Sequence, residues 1–358
     1  MSAKRSGRRP LCTPGAIALL AVLAVSIAAH GAYAAPVGSL DYFEGSVTLI
    51  GDTEILEESD LYFGVPVSPG EVLETAEDGN AEVVFDRTDG SVVQIGPSTA
   101  YSVNSDGTPE RRRNTVDLFY GRMSLESGDG SADLRVRNGS SVAGVRGTKF
   151  EVATAADGAV LVHVESGEVD VENGGNREVG SPGQSVEISP SGSLTGLTLT
   201  ENQRDGFVDQ WINLRNEAFR GNPSFFLRGY ANRLEEEYRG FANAARDLLQ
   251  YKDDLEEAAG SSSSSMGSTA MLRARVAPAV TSVRSHYFLF EESFASVVQL
   301  VRILEEQEGS SDLSRELERF LDYFESNRRE MLQMIGNTRY MLSLYDQADF
   351  EIMSGSMF

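Results

Sequence analysis

The amino-acid sequence changes its chemistry near residue 200, and this break constrains the fold more than any single motif. Residues 35–200 hold 23 Gly, 7 Pro and 22 Val, against 9 Gly, 2 Pro and 7 Val in residues 201–358. β-Branched residues suit a pleated surface and Gly and Pro suit turns, whereas their loss leaves a helix-forming composition. The expectation is two domains: an all-β domain over 35–198, then an all-α domain over 199–350, with 351–358 as a C-terminal tail.

The first half is written in short alternating runs, such as Ser46-Val47-Thr48-Leu49-Ile50 and Val160-Leu161-Val162-His163-Val164. Asp78-Gly79, Asp89-Gly90, Asp106-Gly107 and Asp157-Gly158 separate them, and Asp-Gly tolerates the positive φ of tight turns. One pattern recurs, two alternating apolar runs joined through a glycine: Leu40 and Tyr42 before Gly45, Val116 and Leu118 before Gly121, Val162 and Val164 before Gly167. The glycine spacings of 76 and 46 residues differ, which excludes a repeat of fixed period. Each unit reads as strand, tight bend, strand, with one apolar face.

The order of motifs resembles the FecR domain family. It runs Leu73-Glu74-Thr75, Asp89-Gly90-Ser91 with Val92-Val93-Gln94-Ile95, the Gly121 unit, Val145-Arg146-Gly147-Thr148-Lys149-Phe150, the Gly167 unit and Pro182-Gly183-Gln184. The resemblance covers about residues 45 to 190 and implies an all-β, solenoid-like domain with a cell-envelope address. Its best understood members relay the state of an outer-membrane transporter to a cytoplasmic sigma factor. Only 15 residues precede the first apolar run here, too few for the sigma-holding arm, so that activity is not expected to transfer. The candidate ligand contacts are Arg146 and Thr148 of the Arg-Gly-Thr motif, and Asp89 and Ser91 of the Asp-Gly-Ser motif. Arg146 reads either as a contact to a small anion or glycan, or as a structural partner of a carboxylate with Gly144 and Gly147 at tight corners.

Residues 1–34 read as a signal peptide. Lys4, Arg5, Arg8 and Arg9 precede an apolar run from Ala16 to Ala29, and Ala32-Tyr33-Ala34 places cleavage before Ala35. That run of 14 residues is shorter than the ~20 that span a bilayer. Cleavage removes those four bases and Cys12, taking the formal charge from −23 to −27 and leaving no cysteine for disulfides or metal ligation. So acidic a chain repels phosphate backbones, so nucleic acid is not an expected partner.

In the second half, Thr200 with Gln203 has the form of a capping box, and Asn222-Pro223 restarts the helical pattern after Gly221. Three segments of about 35 residues are expected, far above the mean of roughly 11–12. The first of them runs to Gly260, and a serine-rich linker at 260–268 and Pro278 follow. Leu313, Leu317, Phe320, Phe324, Met331, Met334, Met341 and Tyr345 share a seven-residue spacing, so a helical bundle or coiled-coil hairpin is expected. Phe225-Phe226 and Tyr287-Phe288-Leu289-Phe290 read as its core. The serine linker allows closure within one chain, giving a monomer.

No catalytic constellation emerges. His163 and His286 lie in different halves; His163, alternating with Val162 and Val164, is expected to face solvent. Phosphate loops, nucleophile elbows and zinc-protease motifs are missing from the sequence. Asp129 and Asp133 form a weak calcium candidate, since calcium needs six or more oxygens, and hairpin turns use the same residues. The expected function is therefore non-enzymatic and without cofactors. It is an exported cell-envelope adaptor or sensor whose β domain recognises an envelope protein or ligand and whose helices mediate assembly, with peptidoglycan or other cell-wall glycan binding as the alternative.

Overall fold

The alternating runs pair into one sheet, because each ends at a turn and has one face to bury. A computed structural model describes residues 35–358 except 86–89, 107–112, 128–132, 140, 205, 261–265, 308–312 and 356–358. The proposed signal segment lies outside the described residues. Residues 36–358 form one compact unit.

The strands are β1 (Gly38–Glu44), β2 (Val47–Ile50), β3 (Ile55–Leu56), β4 (Val65–Val67), β5 (Val72–Thr75), β6 (Asn80–Phe85), β7 (Val92–Ile95) and β8 (Ala100–Asp106). They continue with β9 (Arg113–Tyr120), β10 (Arg122–Glu126), β11 (Asp133–Asn138), β12 (Ser141–Thr154), β13 (Val160–Asn173), β14 (Asn176–Gly180), β15 (Gln184–Ile188) and β16 (Leu194–Thr198). The sheet runs β3-β2-β5-β8-β9-β11-β12-β10-β7-β6-β1-β4, with β13 beside β12 and carrying β14 and β15, and β16 beside β15. It curls so that Leu40, Val83, Val93, Val116, Leu125, Phe150, Val162 and Val186, from strands far apart in this order, share one core.

The recurring glycine units are corners, where a strand leaves one set of neighbours for another. β9 pairs with β8 and β11, whereas β10, just past Gly121, pairs with β7 and β12. Gly167 sits inside β13: the stretch before it pairs with β15 and the stretch after it with β14. The long β12–β13 ribbon is irregular between Arg146 and Phe150 and bends there. The bend brings its two ends together, since Val160 pairs with Ile188 while Asn173 Nδ2 donates to the Gly192 carbonyl at 2.8 Å in the next turn.

Seven helical segments follow among the described residues: α1 (Glu201–Arg204), α2 (Phe207–Arg220), α3 (Pro223–Ala231), α4 (Leu234–Leu249), α5 (Lys252–Gly260), α6 (Met266–Glu305) and α7 (Arg315–Gly355). The Gln203 side chain accepts from the Thr200 backbone N–H at 3.0 Å, and Asn222 Oδ1 accepts from Phe225 N at 3.1 Å with Pro223 at the first helical position. The expected segment from Pro223 to Gly260 is broken into α3, α4 and α5. α6 and α7 are long, and Pro278 lies inside α6. α5 ends at Gly260 and α6 begins at Met266, so helix enters the expected linker from both sides, and α7 runs past residue 351 to Gly355. Among the described residues, no helix is long and apolar enough to cross a membrane.

Phe241, Tyr287, Phe290, Phe294 and Phe324 form the aromatic core of the helical part. Phe225, Phe288 and Leu289, expected in that core, are 65%, 42% and 62% exposed. At 3.6 residues per turn, Tyr287 and Phe290 share a face that Phe288 and Leu289 cannot. His163 also departs from expectation, being 6% exposed with Nδ1 2.8 Å from Ser185 Oγ. α2 covers that side of the ribbon, packing Val208 and Trp211 on Ala153, Ala155, Ala159 and Leu161. Both faces of β13 are therefore buried from Val160 to Val164.

Candidate functional site

The outer face of β8 and β9 carries a polar row that alternates with the core. Val103, Val116 and Leu118 point inward, while Asn104, Thr115 and Asp117 occupy the alternate positions and are nevertheless buried. Helices α6 and α7 bring charge to this row. Asp117 accepts two bonds from Arg137 of β11, the longer at 3.0 Å, and one from Asn104 Nδ2 at 2.7 Å. Arg339 of α7 comes within 3.8 Å of Asp117 and pairs with Glu291 of α6 at 2.8 Å and 3.0 Å. Tyr287 donates to Glu291 at 2.8 Å and accepts from Arg339 Nε. Two carboxylates meet two guanidiniums, so the seam is electrically balanced where burial makes an unpaired charge costly.

Two further contacts extend the seam. Arg328 of α7 pairs with Glu74 of β5 and donates to the Tyr120 hydroxyl at 2.9 Å, and Tyr120 donates to Glu74. Gln299 of α6 donates to Thr154 Oγ1 at 3.0 Å.

Burial pushes the Asp117 carboxyl upward, but Arg137 and Arg339, with the Asn104 amide, outweigh it and hold its pKa below the ordinary carboxylate value. A carboxyl depressed in the folded state adds stability above its unfolded pKa of about 3.9, and that stability is lost as pH falls through the folded value. Thermal melts of the full chain will therefore lose stability below about pH 4, and Asp117→Asn, less stable at neutral pH, will show a shallower loss there. An unchanged acid slope in the variant would assign the loss to other carboxylates.

The motif residues take different places. Val92 and Lys149 both pair with Glu126, so Ser91 and Thr148 stand one residue further along, at the same end of three adjacent strands. Both are buried, and Thr148 exchanges backbone bonds with Ser127, its N–H donating to Ser127 Oγ at 2.8 Å and its carbonyl accepting from Ser127 N at 2.9 Å. The backbone of Arg146 lies in β12 opposite Glu168, and Asp133 opens β11 opposite Arg113. Asp89 and Asp129 lie outside the described residues. A second cleft is lined by Arg122, Glu151, His163 and Asp209, with Arg122 ion-paired to both acids. The residues that hold sheet to helices, Asp117, Arg137, Glu291 and Arg339, were not legible as a site. Asp117 reads as an ordinary outward strand position, and Arg339 stands between Thr338 and Tyr340 with no motif around it.

Residues 71–170 match the family model described as FecR protein. Two crystal structures of a protein from Parabacteroides distasonis ATCC 8503, described as an anti-sigma factor, are similar over 38% of this chain, at 17% identity and a TM-score of 0.33. The matched part spans 64% and 63% of those chains, a little under two thirds. No curated protein matches the chain.

Proposed function

We propose that this protein is a non-enzymatic, exported adaptor or sensor of the cell envelope, in which the FecR domain recognises an envelope protein or ligand and the helical part mediates assembly. One observation carries the reading: the strands that match the FecR model supply the face on which the helices dock. Glu74, Asp117, Tyr120 and Thr154 all fall within residues 71–170, and they hold Arg328, Arg339 and Gln299. A recognition module joined through buried charges to a helical partner in its own chain is built to pass a binding event from one to the other. The match to a family of regulators supports a signalling role, and the basic-apolar leader supports export.

Mass spectrometry of the protein recovered from cells is expected to find Ala35 as the N-terminus, and crosslinking in whole cells is expected to capture an envelope protein. An intact Met1 form would reject export. Retention on cell-wall sacculi without protein crosslinks would replace the protein partner with a glycan polymer.

A further inference from the structure

We infer that the cleft where the two ends of the β12–β13 ribbon meet beneath α6 binds a single neutral sugar ring. The inference rests on the adaptor reading, and names the class of ligand taken where its β domain meets α6. The cleft holds about 200 Å³, below the roughly 300–1,000 Å³ of pockets for drug-sized ligands, so its occupant is small. Turns β11–β12, β12–β13 and β15–β16 reach it through Gly139, Gly158 and Gly192, and a Cβ on Gly139 would meet nothing within 4 Å, leaving the backbone open there.

The lining selects the chemistry. Phe119 lines it but is only 2% exposed, and Phe288 stands 42% exposed beside it on α6, so the apolar ring surface available for the face of a sugar is that of Phe288. Asn138 donates one bond to the Leu118 carbonyl and Gln299 one to Thr154 Oγ1, at 2.8 Å and 3.0 Å. Each of these amides has a second N–H and a carbonyl besides, a donor beside an acceptor, which suits hydroxyl and acetamido groups that both give and take hydrogen bonds. Glu291 is neutralised by Arg339, and Glu292, exposed at the cleft, opposes an anionic ligand. Phe288 therefore has a use here that it lacked as a core residue.

Saturation-transfer NMR and titration calorimetry on the full chain, with N-acetylglucosamine, glucose and glucuronate as probes, test the inference. At least one neutral sugar is expected to bind, and the tighter of the two separates an amino sugar from a plain hexose as the source. Glucuronate is expected to bind about tenfold more weakly than glucose, and Glu292→Gln to narrow that gap. Phe288→Ala is expected to weaken neutral-sugar binding by about tenfold or more, with the melting temperature measured alongside because Phe288 also stands against Tyr287 and the Arg339 guanidinium. Silence from both neutral sugars, or equal affinity in Phe288→Ala, would overturn the inference. Envelope-protein crosslinks that persist in either case would leave the adaptor reading standing, so the two can fail separately.

Discussion

Replacing Arg339 with methionine is expected to lower the stability of the full chain by about 3–5 kcal/mol, the usual loss when one partner of a buried ion pair is removed. Arg339 and Glu291 are 2% and 5% exposed, so the released charge is poorly solvated. Asp117 keeps Arg137, and the penalty concentrates on Glu291 and the Tyr287 hydroxyl. The double variant Arg339→Met/Glu291→Leu should recover about 1–3 kcal/mol, since it removes the stranded carboxylate along with its partner. Arg239→Ala, which breaks an exposed pair with Glu235, should cost no more than about 0.5 kcal/mol. Urea denaturation of the four proteins measures all of this. Equal losses for Arg339→Met and Arg239→Ala would mean that the seam is solvated in solution.

Gly167→Ala is expected to cost about 2–5 kcal/mol, combining backbone strain with overpacking. Gly167 has φ 76°, a conformation that alanine adopts only under strain, and an added Cβ would fall 2.6 Å from the Gly147 carbonyl oxygen and 3.0 Å from Thr148 Cα. Gly64 supplies the comparison, having φ 86° with nothing within 4 Å of a Cβ. Gly64→Ala thus reports strain alone, and the excess at Gly167, about 1–3 kcal/mol, reports the close approach at the corner. Because that corner bends the ribbon whose ends form the cleft, Gly167→Ala should also weaken any sugar binding. Identical costs for the two substitutions would show that the corner opens freely.

These two sites also show how far the sequence could be read. The corner was visible, because a glycine between two alternating runs marks a bend whatever the strands pair with. Its partner was not, since the approach of Gly147 and Thr148 to Gly167 depends on how the ribbon curls. The inner core was visible for the same local reason: period-two alternation sorts Val116 from Asp117. Alternation cannot distinguish a polar face in water from one beneath a helix, so His163 reads as solvent-facing and nothing in the sequence marks Asp117. The helices were legible as helices through capping at Thr200 and Asn222 and through the spacing of Phe320, Phe324 and Met331. The face they turn to the sheet was not, because Arg328 and Arg339 resemble ordinary surface arginines until strands some 200 residues earlier come beside them.

Helix α7 lands on segments that precede it by well over 200 residues. Gln333 donates to the Gly51 carbonyl across 282 positions of chain, Asn337 to Asp52 across 285, and Gly336 packs on the Gly70 carbonyl. Contacts of such long range form late, because loop-closure entropy must be overcome before they contribute, and they slow folding relative to a chain closed by local contacts. In a nascent chain that has reached only residue 315, Asp117 has Arg137 but not Arg339, and Glu74 lacks Arg328. Until α7 arrives, that face stays wet and open to other chains, the condition in which intermediates aggregate or meet a chaperone.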